Sequence, residues 1–134
     1  MVDARFGKMV AMQSTSTDKR LAEVEKRYDT LIHEIGEIGY IASGSLALRL
    51  NRCGKANCRC HADPPQLHGP YWHWSTTVKG KTVNRRLSDA EAAIYQEWIA
   101  NDRRLRGLVE QLRTVAQEAL ELKLAQARDG AVKV

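Results

Sequence analysis

Residues 53–73 hold every cysteine of the chain and three of its histidines: Cys53, Cys58, Cys60, His61, His68 and His73. The spacing is Cys-x4-Cys-x-Cys with histidines following. Thiolate sulfur and imidazole nitrogen are the donors that tetrahedral zinc takes, four at a time, at about 2.0–2.3 Å. Three thiolates and one imidazole make a complete set. Cys60 and His61 are chain neighbours, so ligation by both is awkward. His68 lies beyond the Pro64-Pro65 loop, from which the chain can return. The expected ligands are therefore Cys53, Cys58, Cys60 and His68, holding a structural Zn2+ that staples a module with little core of its own. Free thiols in a reducing cytosol and a redox pair are the alternative readings. Asp63 is the only acid between residues 44 and 87. No carboxylate is placed as a general base, and no open catalytic metal position is expected.

The second set of chemistry-bearing residues is basic and polar. Residues 44–87 carry Arg49, Arg52, Lys55, Arg59, Lys79, Lys81, Arg85 and Arg86 against one acid, a net of +7 within a chain of net charge +5. The flanking segments 1–43 and 88–134 are each net −1. A single-sign block of this kind is the electrostatic footprint of a polyanion site. Alternation places Arg49, Asn51, Tyr71, His73, Asn84 and Arg86 on one strand face, where Arg can read guanine and Asn adenine in a major groove. Arg52, Lys55, Arg59, Lys79 and Lys81 fall in loops and turns suited to phosphates. Tyr71 and His73 offer the alternative of stacking unpaired bases, as in RNA or single strands.

The elements that position these residues are legible from periodicity. Residues 45–51 alternate Leu46, Leu48 and Leu50 against Ala47, Arg49 and Asn51, a half-buried strand. Residues 71–78 and 81–87 read as a hairpin turned at Lys79-Gly80. Its register pairs Val78 with Lys81, Thr76 with Val83, Trp74 with Arg85 and Trp72 with Leu87, and gathers both tryptophans on an apolar face where only Arg85 is out of place. Residues 52–61 suit no regular element. Leu21, Val24, Tyr28, Leu31, Ile35 and Ile38 step 3-4-3-4-3, the seam of a helix over 18–43 with Asp18 as N-cap. Ser88-Asp89-Ala90-Glu91 is a capping box that opens a helix over 88–128. Its seam includes Leu105, Leu108, Leu112 and Val115, the residues expected to dimerise, and it puts Asn101 at a core-type position able to set oligomer register. Segments 1–17 and 129–134 are expected to be tails. The fold class is thus α+β: a small three-stranded antiparallel sheet with a Cys/His zinc-knuckle-like loop, flanked by an N-terminal helix and a long, coiled-coil-like C-terminal helix.

Composition narrows the classes. Hydrophobic residues make 43% and charged residues 28% of the 134, a globular balance. Aromatics make only 6%, too few for one large aromatic core. No apolar run approaches the roughly 20 residues of a membrane span. The first 20 residues hold no apolar stretch of a signal peptide, and an odd number of clustered cysteines is no disulfide framework. A cytoplasmic protein is expected, nucleoid-associated if it binds DNA. No Walker loop, no GxGxxG and no Ser/His/Asp framework occurs, so no catalysis is expected.

At Gly44-Ser45-Leu46, Arg52-Cys53-Gly54-Lys55, Cys58-Arg59-Cys60, His68-Gly69-Pro70-Tyr71-Trp72 and Gly80-Lys81-Thr82 the chain resembles a set of small, uncharacterised bacterial proteins with the pattern CGKxxCxC…HGPYW…GKT. The resemblance covers about residues 44–110 and includes Ile99–Leu105. It implies an association with mobile elements, and it places His68, rather than His61, inside the motif. A looser, architectural likeness is to the arm-binding domains of tyrosine recombinases, which lay a sheet in the major groove; residues 53–68 would be an insertion in that pattern. The function expected is a non-catalytic, homodimeric DNA-binding accessory protein. The alternatives are an adaptor whose helical seams engage another protein, such as a recombinase, and an RNA or single-strand binder.

Overall fold

The computed structural model describes residues 4–132, with side chains over 16–130. In chain order the elements are α1 (Ala4–Gly36), β1 (Ser45–Asn51), a 3-10 turn (Arg59–His61), β2 (His68–Val78), β3 (Lys81–Leu87) and α2 (Asp89–Val132). Two compact units result: Met1–Ile38 with Leu105–Val134, and Gly39–Arg104.

The helical unit is built on the two seams. Val24 and Leu31 of α1 are buried with Leu108 and Val115 of α2, and Ile35, Ile38, Leu112, Ala119 and Leu122 pack against them. Asp18 Oδ1 accepts a 2.9 Å hydrogen bond from Gln126 Nε2, and Arg27 is paired with Glu118 at 2.7 Å. As numbers rise along α1 the partner numbers fall along α2, so the helices run antiparallel. Helix α1 begins at Ala4, so residues 4–17 are not a tail, and Asp18 braces the other helix from inside α1 instead of capping it. Segment 4–17 has no proline, and the good helix formers Ala, Met, Lys and Arg outweigh Gly7 and the Ser/Thr cluster. Helix α2 likewise runs to Val132, past the expected end at 128. The remaining tail residues, 1–3 and 133–134, lie outside the described residues. The expected dimer seam is covered within the chain: Leu108 and Val115 are 5% and 6% exposed against α1. Their burial needs no second copy. Leu105 is only half-buried.

The sheet unit has strand order β1-β2-β3, antiparallel throughout. The expected hairpin register holds at every pair: Trp72–Leu87, Trp74–Arg85, Thr76–Val83 and Val78–Lys81. Lys79 and Gly80 have φ of 50° and 78°, the two left-handed residues of a type I′ turn, whose twist matches that of the strands. The start of α2 lies on the apolar face. Trp74 packs against Tyr95 with ring centroids 5.0 Å apart, and Trp98 against Tyr40 at 5.0 Å. Leu87, Ala92 and Ile99 are buried. Arg85 is accommodated there because its guanidinium lies 5.7 Å from the Trp74 ring and donates to Tyr95 Oη at 3.1 Å. Asn101, at its core-type position, donates through Nδ2 to the Tyr40 carbonyl at 2.8 Å. Gly44, at φ 96°, lets β1 begin against β2, and a Cβ there would sit 2.7 Å from Trp74 Nε1.

The capping box forms as expected. Glu91 N–H donates to Ser88 Oγ at 3.2 Å, and Ser88 N–H donates to Glu91 Oε1 at 2.9 Å. The bond from the Ser88 N–H, and after it the Ser88 hydroxyl, lower the Glu91 carboxyl from its usual value. No helix is long and apolar enough to cross a membrane among the described residues.

Candidate metal centre and polar sheet face

The Cys/His cluster is assembled by strand pairing and two tight turns. β1 delivers Cys53 two residues past Asn51, and Asn51 is the register partner of His68, the first residue of β2. The ladder thus brings His68 back to the cysteines across the intervening loop. Between them, Cys58 N–H donates to the Lys55 carbonyl at 3.1 Å and His61 N–H to the Cys58 carbonyl at 3.0 Å. The second bond closes the 3-10 turn, Arg59–His61, in a stretch where the sequence suggested no regular element. That turn points Cys60 inward, where it is fully buried. Gly69 has φ 103°, and a Cβ on it would lie 2.9 Å from the Arg49 carbonyl, so the strand register shift between Arg49 and Asn51 requires glycine opposite it.

Cys53, Cys58, Cys60 and His68 come together with their ligand atoms all within 4.8 Å of one another. Cys53 Sγ lies 3.6 Å from Cys60 Sγ, and Cys58 Sγ lies 3.1 Å from His68 Nε2. A tetrahedron with 2.3 Å metal–sulfur bonds has edges of roughly 3.7 Å, so the sulfur spacing fits a metal of that size. Cys53 N–H donates to Cys60 Sγ at 3.3 Å, a bond that would orient this sulfur as a ligand. His61 Nε2 is engaged with the Cys53 carbonyl at 2.7 Å, which turns it away from the ligand set. The sequence had missed that second role for His61. The thiols are not equivalent. Hydrogen bonds from the Cys60 backbone, then the Cys53 and His68 side chains, lower Cys58 to about 6. Burial raises Cys60. Three cysteines and a histidine at this spacing can hold a metal ion.

The sheet presents its polar side chains on one face. Register sets Arg49 beside Tyr71, His73 beside Arg86 and Ser75 beside Asn84. They are already ordered by one another. The Arg86 guanidinium carbon sits 3.4 Å from the Tyr71 ring centroid. Asn51 Nδ2 and His73 Nε2 are 3.1 Å apart, and Ser75 Oγ donates to Asn84 Oδ1 at 2.6 Å. Arg52, Lys55 and Arg59 belong to the cluster loop at the start of β2, whereas Lys79 lies at the hairpin turn, about 30 Å along an 11-residue strand. Lys81, expected in the turn, is the first residue of β3, and the expected pairing with Val78 sets it on the apolar side of the hairpin tip.

A family model for a domain of unknown function, DUF6788, matches residues 16–96, more than half of the chain. The chain belongs to the DUF6788 family. The match takes in α1 from residue 16, the whole sheet with its four clustered residues, and the first turns of α2. It therefore starts well before the motif-bearing stretch at 44, and it stops short of Ile99–Leu105. No curated protein matches the chain. No solved structure matches it either. The DUF6788 match gives the sheet unit a family and leaves its chemistry to be read from the side chains.

Proposed function

We propose that this DUF6788 chain is a non-catalytic DNA-binding accessory protein, in which a structural zinc held by Cys53, Cys58, Cys60 and His68 fixes one end of a sheet whose polar face contacts duplex DNA. One observation carries the reading. The chain's entire excess of positive charge falls in the segment whose register collects Arg49, Tyr71, His73, Asn84 and Arg86 on a single face. Cations stand at both ends of that face, Arg52, Lys55 and Arg59 at one and Lys79 at the other. Their separation of about 30 Å is close to one turn of duplex, roughly 34 Å. The zinc supplies no chemistry beyond the staple in this reading. The resemblance to mobile-element proteins supports a DNA target, a nucleoid location and a recombinase as one kind of protein partner.

Contacts within the chain favour the alternatives less. Arg86 covers one face of the Tyr71 ring and Asn51 holds the edge of the His73 ring, so RNA or single strands would have to stack on the faces that remain. An adaptor acting through the seams would have to displace α1 from Leu108 and Val115. A homodimer, which would present paired half-sites, would have to form through another surface.

The test is a fluorescence-polarisation titration of the full chain against duplex DNA, single-stranded DNA and RNA, at about 50 and 200 mM salt. Duplex preference with a log–log salt slope of several phosphates is expected, because each neutralised phosphate releases a counterion. Absence of duplex binding at the lower salt overturns the proposal.

A further inference from the structure

Arg86 differs from the other arginines whose partners are defined. Arg27 is paired with Glu118, Arg113 with Glu110, and Arg85 with the Tyr95 hydroxyl and the Trp74 ring. Arg86 is exposed and has no ion pair with a carboxylate among the described residues. Its planar group nevertheless has a fixed orientation. At 3.4 Å from the Tyr71 centroid a guanidinium must lie flat on the ring, because any other attitude would drive its N–H atoms into the π-face. A flat guanidinium points its N–H fork outward along its own plane. The stack on Tyr71 carries this fork from the edge strand β3 over the central strand β2, with Arg49 of β1 paired to Tyr71 on the other side. Stacking therefore orders a long side chain in advance and leaves its donors open.

The acceptor that matches a planar, pre-oriented fork is a pair of coplanar acceptors a fixed distance apart. Guanine offers that pair in the major groove with O6 and N7, and no other base does. We infer that Arg86, held flat by Tyr71, reads a guanine and sets the sequence preference of the sheet face. The inference rests on the duplex-binding function proposed above. A phosphate also accepts two N–H bonds, but it is satisfied equally by a lysine charge and carries no sequence information.

The experiment is a selection of bound duplexes from a randomised library by the zinc-loaded full chain, repeated with Arg86→Lys and Tyr71→Leu. The wild type is expected to select a motif with an invariant G·C pair. Arg86→Lys keeps the charge and loses the fork: preference at that one pair should vanish while affinity for random duplex stays within about twofold. Tyr71→Leu should relax the same pair, because it frees the fork to swing, and Tyr71→Phe should keep the motif. Replacing the selected guanine with 7-deazaguanine, which lacks N7, should weaken the wild type about tenfold and Arg86→Lys hardly at all. Zinc content and circular dichroism confirm that each variant is folded. An unchanged motif in Arg86→Lys overturns the inference while leaving duplex binding intact, as does duplex binding with no selected motif. Failure to bind any duplex overturns the proposed function itself, and the two failures are distinct.

Discussion

His68 Nε2 lies 3.1 Å from Cys58 Sγ, although nine residues, two of them prolines, separate them in the chain. The contact depends on an antiparallel pair, Asn51 with His68, and on a turn that reverses the chain at Lys55–Cys58. The Cys/His cluster and the sheet are thus built together, with His68 serving as the first residue of the central strand.

The purified chain is therefore expected to carry close to one zinc per molecule. Cys58→Ser and His68→Ala should each lose it and lower the thermal transition of the sheet unit, because a metal that binds only the folded form stabilises it by mass action. His61→Ala should retain the zinc, since His61 is turned to the Cys53 carbonyl. Metal analysis of the three variants checks this; zinc loss in His61→Ala alone would assign the fourth ligand differently.

Gly69→Ala is expected to be among the most damaging substitutions of a surface residue in this chain. It combines a left-handed backbone at φ 103° with a Cβ 2.8 Å from the Tyr71 nitrogen and 2.9 Å from the Arg49 carbonyl. The strain alone costs about 1–3 kcal/mol. Gly80→Ala has the same kind of φ, 78°, but open space around it, and should cost less. Denaturant titration of both variants measures the difference that the close contact makes.

Within the helical unit, Leu108→Ala should cost about 2–4 kcal/mol, the usual range for emptying a buried leucine site. Leu120→Ala, on the same helix but 49% exposed, should cost well under half of that. Urea melts at two protein concentrations check the source of the loss. A midpoint independent of concentration agrees with a seam covered inside one chain.

These contrasts also mark what the sequence could reveal. The hairpin register was readable because Lys79-Gly80 dictates a two-residue turn and both strands then agree on one apolar face. The clustering of Cys53, Cys58, Cys60 and His68 was readable because soft donors are rare and lie close together in the sequence. The outward direction of His61 was not, since it depends on the 3-10 turn, which no periodicity announces. Nor was the start of α1: residues 4–17 have no apolar seam, so helix propensity was the only available signal and the Ser/Thr cluster obscured it. Asn101 was legible as a misfit at a heptad core position, but its partner, the Tyr40 carbonyl, is 61 residues away. The Arg86–Tyr71 stack lay diagonally across two strands, and alternation gives faces without giving diagonals.

The capping box adds a pH-dependent contribution whose sign is fixed. The folded Glu91 carboxyl sits below its usual value of 4.5, chiefly through its bond from the Ser88 N–H. A group depressed on folding contributes stability above its unfolded pKa, and that contribution fades as pH falls through the folded one. Glu91→Gln should therefore narrow its stability deficit against the wild type between about pH 5 and pH 3. Ser88→Ala, which removes the cap itself, should lose about 1 kcal/mol near neutral pH. A deficit for Glu91→Gln that stayed constant down to pH 3 would show that its carboxylate charge adds nothing to the cap.

The two hairpin lysines separate a charge effect from a positional one. Both lie at the tip, one residue apart from Gly80, and both carry one charge. Lys79 occupies the turn itself, whereas Lys81 pairs with Val78 on the apolar side. If duplex DNA lies on the polar face, Lys79→Ala should flatten the log–log salt slope by about one and weaken all duplexes alike. Lys81→Ala should change the slope by clearly less, since its side is turned away from the phosphates. Polarisation titrations of the two variants at several salt concentrations measure the slopes. Equal losses would mean that the tip acts through net charge alone, and a larger loss for Lys81 would put the nucleic acid on the tryptophan side of the sheet.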